Sequence, residues 1–228
     1  LRIISQGEIL ARLNALDDRI YAVKRATLLL LTCTALFAQL DKAEKKEGFK
    51  PLLNKSLKGW KGDSRLWKVE NGVLIGSTDG VKINNNTFLI SEREYSDFVL
   101  RAEFKLRNHN SGIQFRSAEL PDYVVQGLQA DIAYDNWTGS IYDEKGKRGV
   151  IVNGWKGKGE KFYKKDEWNQ IELSAIGENI VIKINGQVTS ELKDTSKPSG
   201  ILAIQLHRGP DMKVEFRNIR LKEAKATR

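Results

Sequence analysis

From Gly48 to about Leu221, apolar and polar residues alternate in short runs, with no helical three-to-four-residue period. Period-two alternation is the mark of strands with one covered face. In Phe98–Leu106 the residues Phe98, Leu100, Ala102, Phe104 and Leu106 share one side, and Arg101, Glu103 and Lys105 share the other. Similar runs predict strands at Gly112–Arg116, Tyr123–Asp131, Ile201–His207 and Lys213–Leu221. Asn71-Gly72 separates "LWKVE" from "VLIGS", and Asn185-Gly186 separates "IVIKI" from "QVTSE". Such pairs are strong signals for two-residue hairpins. With "GEN" (Gly177 to Asn179) joining "WNQIELSAI" to "IVIKI", the last three runs form a meander. The expected fold is all-β. It is a two-sheet antiparallel jelly-roll sandwich, spanning residues 48–224.

The alternation also sorts chemistry. Ile113 and Phe115 oppose Gln114 and Arg116, while Val124, Leu128 and Ala130 oppose Gln129 and Asp131. Leu202, Ile204 and Leu206 oppose Gln205 and His207. If these strands are neighbours, one sheet carries a polar face suited to hydrogen bonding a polyhydroxylated ligand. The candidates for chemistry are His207, Asp131, Glu144 and Arg116. Those for holding a ligand are Gln129, Gln205, Tyr142, Arg148, Asn110 and Trp137, with Asn108 to Ser111 capping one end of the groove. The plainer reading makes His207 an exposed strand-end residue and Arg116 an ion-pair partner of Glu103 or Asp131. Trp60, Trp67 and Trp168 are assigned to packing; Trp137 and Trp155, in polar loops, are placed to stack on a sugar ring.

Composition narrows the class. The chain has 228 residues and a formal charge of +9, with 40% hydrophobic and 29% charged residues, as in an ordinary globular protein with a sizeable core. The basic residues are scattered, so no nucleic-acid partner is expected; "WKGKGEKFYKK" (Trp155 to Lys165) reads as a solvated lysine-rich loop. Residues 23–38, "VKRATLLLLTCTALFA", resemble a secretory signal peptide, too short to span a bilayer. The expected location is therefore secreted or periplasmic, without stable membrane insertion. Residues 1–22 read as an extension upstream of a start at Val23; the alternative is an amphipathic helix through Ile9, Leu13, Leu16 and Ile20. Residues 39–47, "QLDKAEKKE", read as a linker. Cys33 is the only cysteine and would leave with the signal, which excludes disulfides and cysteine zinc sites from the domain.

Several motifs are missing: G-x-S-x-G, H-E-x-x-H, a phosphate-binding loop, a dinucleotide fingerprint and the E-x-D-x-E strand of jelly-roll glucanases. The ordinary paired-carboxylate mechanism of glycosidases thus lacks its usual strand signature. The ordered set "GFKPLLNKSLKGW", "WKVENGVLIG", "YSDFVLRAEFKL", "NSGIQFRS", "VVQGLQADI", "GSIYDEKGKRG" and "ILAIQLHRGPDMKVEFRNIRL" resembles the 3-keto-disaccharide hydrolase domain family from about Gly48 to Lys222. The resemblance implies a jelly roll of the concanavalin A-like lectin and glucanase type, and an exported bacterial enzyme acting on glycosides oxidised to a ketone at carbon 3. That ketone acidifies the carbon-2 hydrogen, so a base can form an enolate and the aglycone is expelled from carbon 1, with water adding afterwards. On this reading His207 is base or acid, Asp131 or Glu144 its partner, and Arg116 or Arg148 steadies the enolate. Gln129, Tyr142 and Gln205 would position hydroxyls. No cofactor is required; a divalent metal held by His207, Asp131 and Glu144 is the alternative to the arginine, though the spacing does not demand one. Two departures stand out. Tyr123-Val124-Val125-Gln126 lacks the carboxylate many members carry there, and Arg208 follows the histidine where a small residue is commoner. A non-catalytic carbohydrate-binding module is the alternative from another class.

Overall fold

Two-residue turns set the topology. Asn71 and Gly72 both take positive φ (51° and 77°), as do Asn185 and Gly186 (49° and 81°), the conformation that matches the twist of the strands they join. The first pair connects β3 (Trp67–Glu70) to β4 (Val73–Ser77), and the second connects β12 (Asn179–Ile184) to β13 (Gln187–Lys193).

The structure, a computed structural model, describes residues 42–53 and 56–224. The segments expected as upstream extension (1–22) and signal peptide (23–38), with Cys33, lie outside the described residues. Of the stretch expected as a linker, residues 42–47 form a short helix. From Phe49 onward the described chain is one unit of two antiparallel sheets. The first runs β13-β12-β11-β6-β15-β4-β3, where β11 is Asn169–Ile176, β6 is Phe98–Leu106 and β15 is Lys213–Glu223; β1 (Lys50–Pro51) pairs with β15. The second runs β10-β9-β8-β7-β14-β5-β2. Its strands are β10 (Gly149–Val152), β9 (Ile141–Glu144), β8 (Val124–Ala133), β7 (Asn110–Leu120), β14 (Gly200–Leu206), β5 (Thr87–Tyr95) and β2 (Trp60–Lys61). This is the expected jelly-roll sandwich.

The apolar parity of each sheet meets the other in one core. Phe98, Leu100, Phe104 and Phe216 from the first sheet join Ile113, Phe115, Leu128, Ile204 and Leu206 from the second, all essentially removed from solvent. Dispersion and apolar burial on this scale hold the sheets together. Trp67 is buried, Trp60 packs against the core, and Trp168 lies under the Arg217 guanidinium at 4.1 Å.

One irregularity decides where the chemistry goes. β7 runs past Arg116, and its pairing with β8 shifts between Phe115 and Ala118. Arg116 sits at the bulge with φ 47°. A bulge adds a residue to one strand and re-aims the side chains there. Gln114 keeps the parity of the polar face, and Arg116 does not.

Candidate active-site groove

The register of the second sheet lines up its polar side chains. Gln114 lies opposite Gln129, Gln129 opposite Tyr142, and Gly112 opposite Asp131. Gln205 comes from β14, which pairs with the other edge of β7. Asn110, Gln129, Asp131, Tyr142, Glu144, Gln205 and His207 thereby line one cleft of about 360 Å³. Gly112 makes room for this: a Cβ there would come within 2.5 Å of the Gln129 side chain. On the same face, beyond Gln205, Phe88, Ile90, Val125, Ile201 and Ala203 form a small apolar cluster that bounds the polar floor.

The floor is a continuous hydrogen-bond network. Ser117 Oγ donates to Gln114 Oε1 at 2.7 Å, and Gln114 Nε2 donates to Gln129 Oε1 at 2.8 Å. Gln129 Nε2 then donates to Asp131 Oδ1 at 2.6 Å and to Gln205 Oε1 at 3.4 Å. Gln205 Nε2 donates to Glu144 Oε2 at 3.4 Å, and Asn86 Nδ2 to Glu144 Oε1 at 3.2 Å. Gln114, Gln129 and Gln205 are each no more than 1% exposed. The amides of Gln129 and Gln205, expected to position sugar hydroxyls, are engaged in holding the two carboxyls.

Those carboxyls are kept from ionising freely. Burial pushes Asp131 up to about 7 against the pull of hydrogen bonds from Gln129 and Asn110, and the nearby charge of Glu144 adds to the rise. Burial also raises Glu144, opposed by Asn86, Lys145 and Gln205. Tyr142 is raised as well, by burial first and then by Glu144 and Asp131, so its phenol stays protonated.

His207 follows β14 directly and faces His109 across the lip, ring centroids 4.5 Å apart. Its Nδ1 lies 2.6 Å from the Arg208 carbonyl oxygen. A carbonyl only accepts, so Nδ1 carries the proton and Nε2 is the basic nitrogen of the neutral ring. Burial, and then His207, depress His109 below the ordinary imidazole range. Gly209 leaves space for that ring, since a Cβ there would stand 2.6 Å from His109 Nε2. Trp137 lines the groove at 38% exposure, with φ 68°. Its loop is pinned by Thr138 Oγ1, which receives the Ala133 amide at 2.8 Å and donates to the Ala133 carbonyl at 2.7 Å.

Two expected site residues lie elsewhere. Arg116, turned by the bulge, is buried and reaches Asp97 at 3.3 Å. Arg148 points to Asp143 and Asp194 on the opposite side of β9. Neither lines the groove, so neither is an enolate clamp there. Trp155, expected to stack on sugar, packs edge-on against Tyr163 at 5.9 Å. Asn86, His109, Ala133, Asn136 and Val150 complete the lining. Of these only His109 was named from sequence, as part of a capping loop; Asn86 lies in the polar run "NNN", which carries no periodic signal. Among the described residues no three His, Cys, Asp or Glu side chains are grouped as a metal site would need. No helix of the described residues is long and apolar enough to cross a membrane.

Fold and groove define an all-β jelly-roll domain with a buried polar floor on one sheet. The chain belongs to the 3-keto-α-glucoside-1,2-lyase-like domain family, whose sequence profile matches residues 48–222. A candidate glycosyl hydrolase from Parabacteroides distasonis superposes with TM-score 0.62 at 22% identity, covering 80% of this chain and 97% of that one. The carbohydrate-binding module CBM66 from Bacillus subtilis superposes with TM-score 0.58 at 15% identity, covering 76% of this chain and 100% of that one. A Bacillus licheniformis β-glucanase shares the fold with TM-score 0.50 at 11% identity, covering 78% of this chain and 97% of that one. No curated protein matches the chain.

Proposed function

We propose that the groove cleaves 3-keto-glycosides by elimination. Family membership supports the substrate class. One observation carries the chemistry: an imidazole whose proton is fixed on Nδ1 shares a groove with a buried carboxyl of pKa about 7. His207 Nε2 takes the carbon-2 proton, and the electron pair flows into an enolate whose oxygen is the former carbon-3 carbonyl. The pair then returns, carbon 1–carbon 2 becomes a double bond, and the carbon 1–oxygen bond breaks. Water added across that double bond gives the free 3-keto sugar.

With both arginines outside the groove, hydrogen-bond donors do the stabilising. Asp131, half protonated near pH 7, donates to the enolate oxygen, and Asn110 stands beside it. Glu144, raised by burial, delivers the proton to the departing oxygen. Gln129 and Gln205 act through the carboxyls they hold. Trp137 offers an apolar plate for a sugar ring at the rim.

The experiment pairs turnover with affinity. Aglycone release from a panel of 3-keto-glucosides is followed for the wild type and for His207→Gln, alongside calorimetric binding of the same ligands. The proposal expects the variant to lose about 10²–10⁴-fold in turnover and to keep its affinity within a few-fold. Parallel loss of affinity, or wild-type binding without release, would instead describe a carbohydrate-binding module. No release by the wild type from any member of the panel overturns the enzymatic reading.

A further inference from the structure

The two arginines absent from the groove converge on a second cleft, of about 260 Å³, lined by Arg116, Arg148 and Lys197 together with Asp143 and the backbone of β8 around Gly127. Arg116 is only 2% exposed, yet among the described residues its one hydrogen bond is the long contact from Nη2 to Asp97 Oδ1, at 3.3 Å. Its Nε, fully shielded, has no partner among the described residues. A guanidinium has five N–H donors in a planar fork, and burying that charge with its donors unmet is costly. The bulge holds it there in a left-handed backbone conformation that a non-glycine residue rarely adopts.

Three cations line the cleft with one carboxylate, Asp143. Asp97 and Asp194 lie beside it as the ion-pair partners of Arg116 and Arg148. Arg148 already satisfies Asp143 and Asp194 through separate nitrogens, at 3.2 Å and 2.5 Å. Lys197 is exposed and, among the described residues, has no ion-pair partner. A cleft of this size with a buried fork at its wall and an exposed ammonium at its edge suits a planar or tetrahedral oxyanion. Arginine meets such groups two oxygens at a time.

We propose that this cleft binds a small oxyanion, a carboxylate or sulfate group, through Arg116 with Lys197 and Arg148. The anion has two sources, a free ion or the acid group of a charged sugar. The site does not depend on the reaction in the groove.

Binding is tested by calorimetry on the purified protein with sulfate, acetate and glucuronate, each against chloride at matched ionic strength. The site predicts saturable binding of at least one of the three oxyanions and none of chloride. Glucuronate binding more tightly than acetate marks an acidic sugar as the ligand, and equal binding marks a free ion. Arg116→Gln should abolish binding. Because that variant removes a buried group, Lys197→Glu, at an exposed position, provides the second test and should weaken binding about ten-fold or more. No saturation by any oxyanion up to about 50 mM, or affinity unchanged in Lys197→Glu, overturns the proposal.

Discussion

The two faces of the second sheet are both buried at their centres and held by opposite means. On the core side Ile113, Phe115, Leu128 and Leu206 are at most 3% exposed and make only apolar contacts. On the groove side Gln114, Gln129, Asp131 and Gln205 are at most 5% exposed and are tied into one network. An apolar face tolerates imprecision, because dispersion is non-directional. A buried polar face does not, because each unmet donor or acceptor costs as much as a lost hydrogen bond. A sheet that spends this much polarity on one face has something to hold there, and the groove carboxyls are what the glutamines hold.

The sharpest way to break the comparison is to cut each face once. Phe115→Ala, on the core side, should lower unfolding free energy by about 3–5 kcal/mol, read by urea denaturation. The groove side should instead show its character as a pH dependence. Asp131 has a folded pKa of about 7, above the roughly 3.9 of an unfolded aspartate. Between those values the native state binds the extra proton, so stability falls as pH rises, by up to about 1.4 kcal/mol per pH unit. Below the lower value and above the higher one the dependence from this group is flat. Denaturation curves from pH 4 to 8 should show that decline, and Asp131→Asn should flatten it, leaving the contribution of Glu144. An unchanged slope in the variant would mean that burial does not perturb Asp131.

These residues differ in how plainly the sequence announces them. The hairpin dipeptides and the strict alternation of Phe98–Leu106 are local signals, and strand and turn follow from them directly. Gln129, Asp131, Gln205 and His207 share a cleft because regular pairing carries period-two parity across neighbouring strands. Arg116 breaks the rule at the bulge, where one extra residue inverts the parity and nothing in "IQFRSAE" marks it. β9 and β10 are hidden in a stretch, "SIYDEKGKRGVIV", whose glycines and lysines read as a loop. Asn86 and His109 reach the groove from connections, and only the fold brings them there.

A milder cut tests the network itself. Gln129→Leu keeps the volume and removes the partners of Gln114, Asp131 and Gln205 together. It should cost about 1–3 kcal/mol in stability and shift the pH dependence of turnover, because the Asp131 carboxyl loses a bond that favours its ionised form. A leucine accepted without loss in either readout would reduce the polar face to ordinary packing.

The central claim is that the groove removes a proton from carbon 2 before the glycosidic bond breaks. A 3-keto-glucoside deuterated at carbon 2, cleaved in ordinary water and analysed by mass spectrometry, tests it most directly. The account predicts that the released sugar has lost its deuterium in step with aglycone release, well above the washout seen with His207→Gln. Aglycone released with the label still on carbon 2 would contradict it.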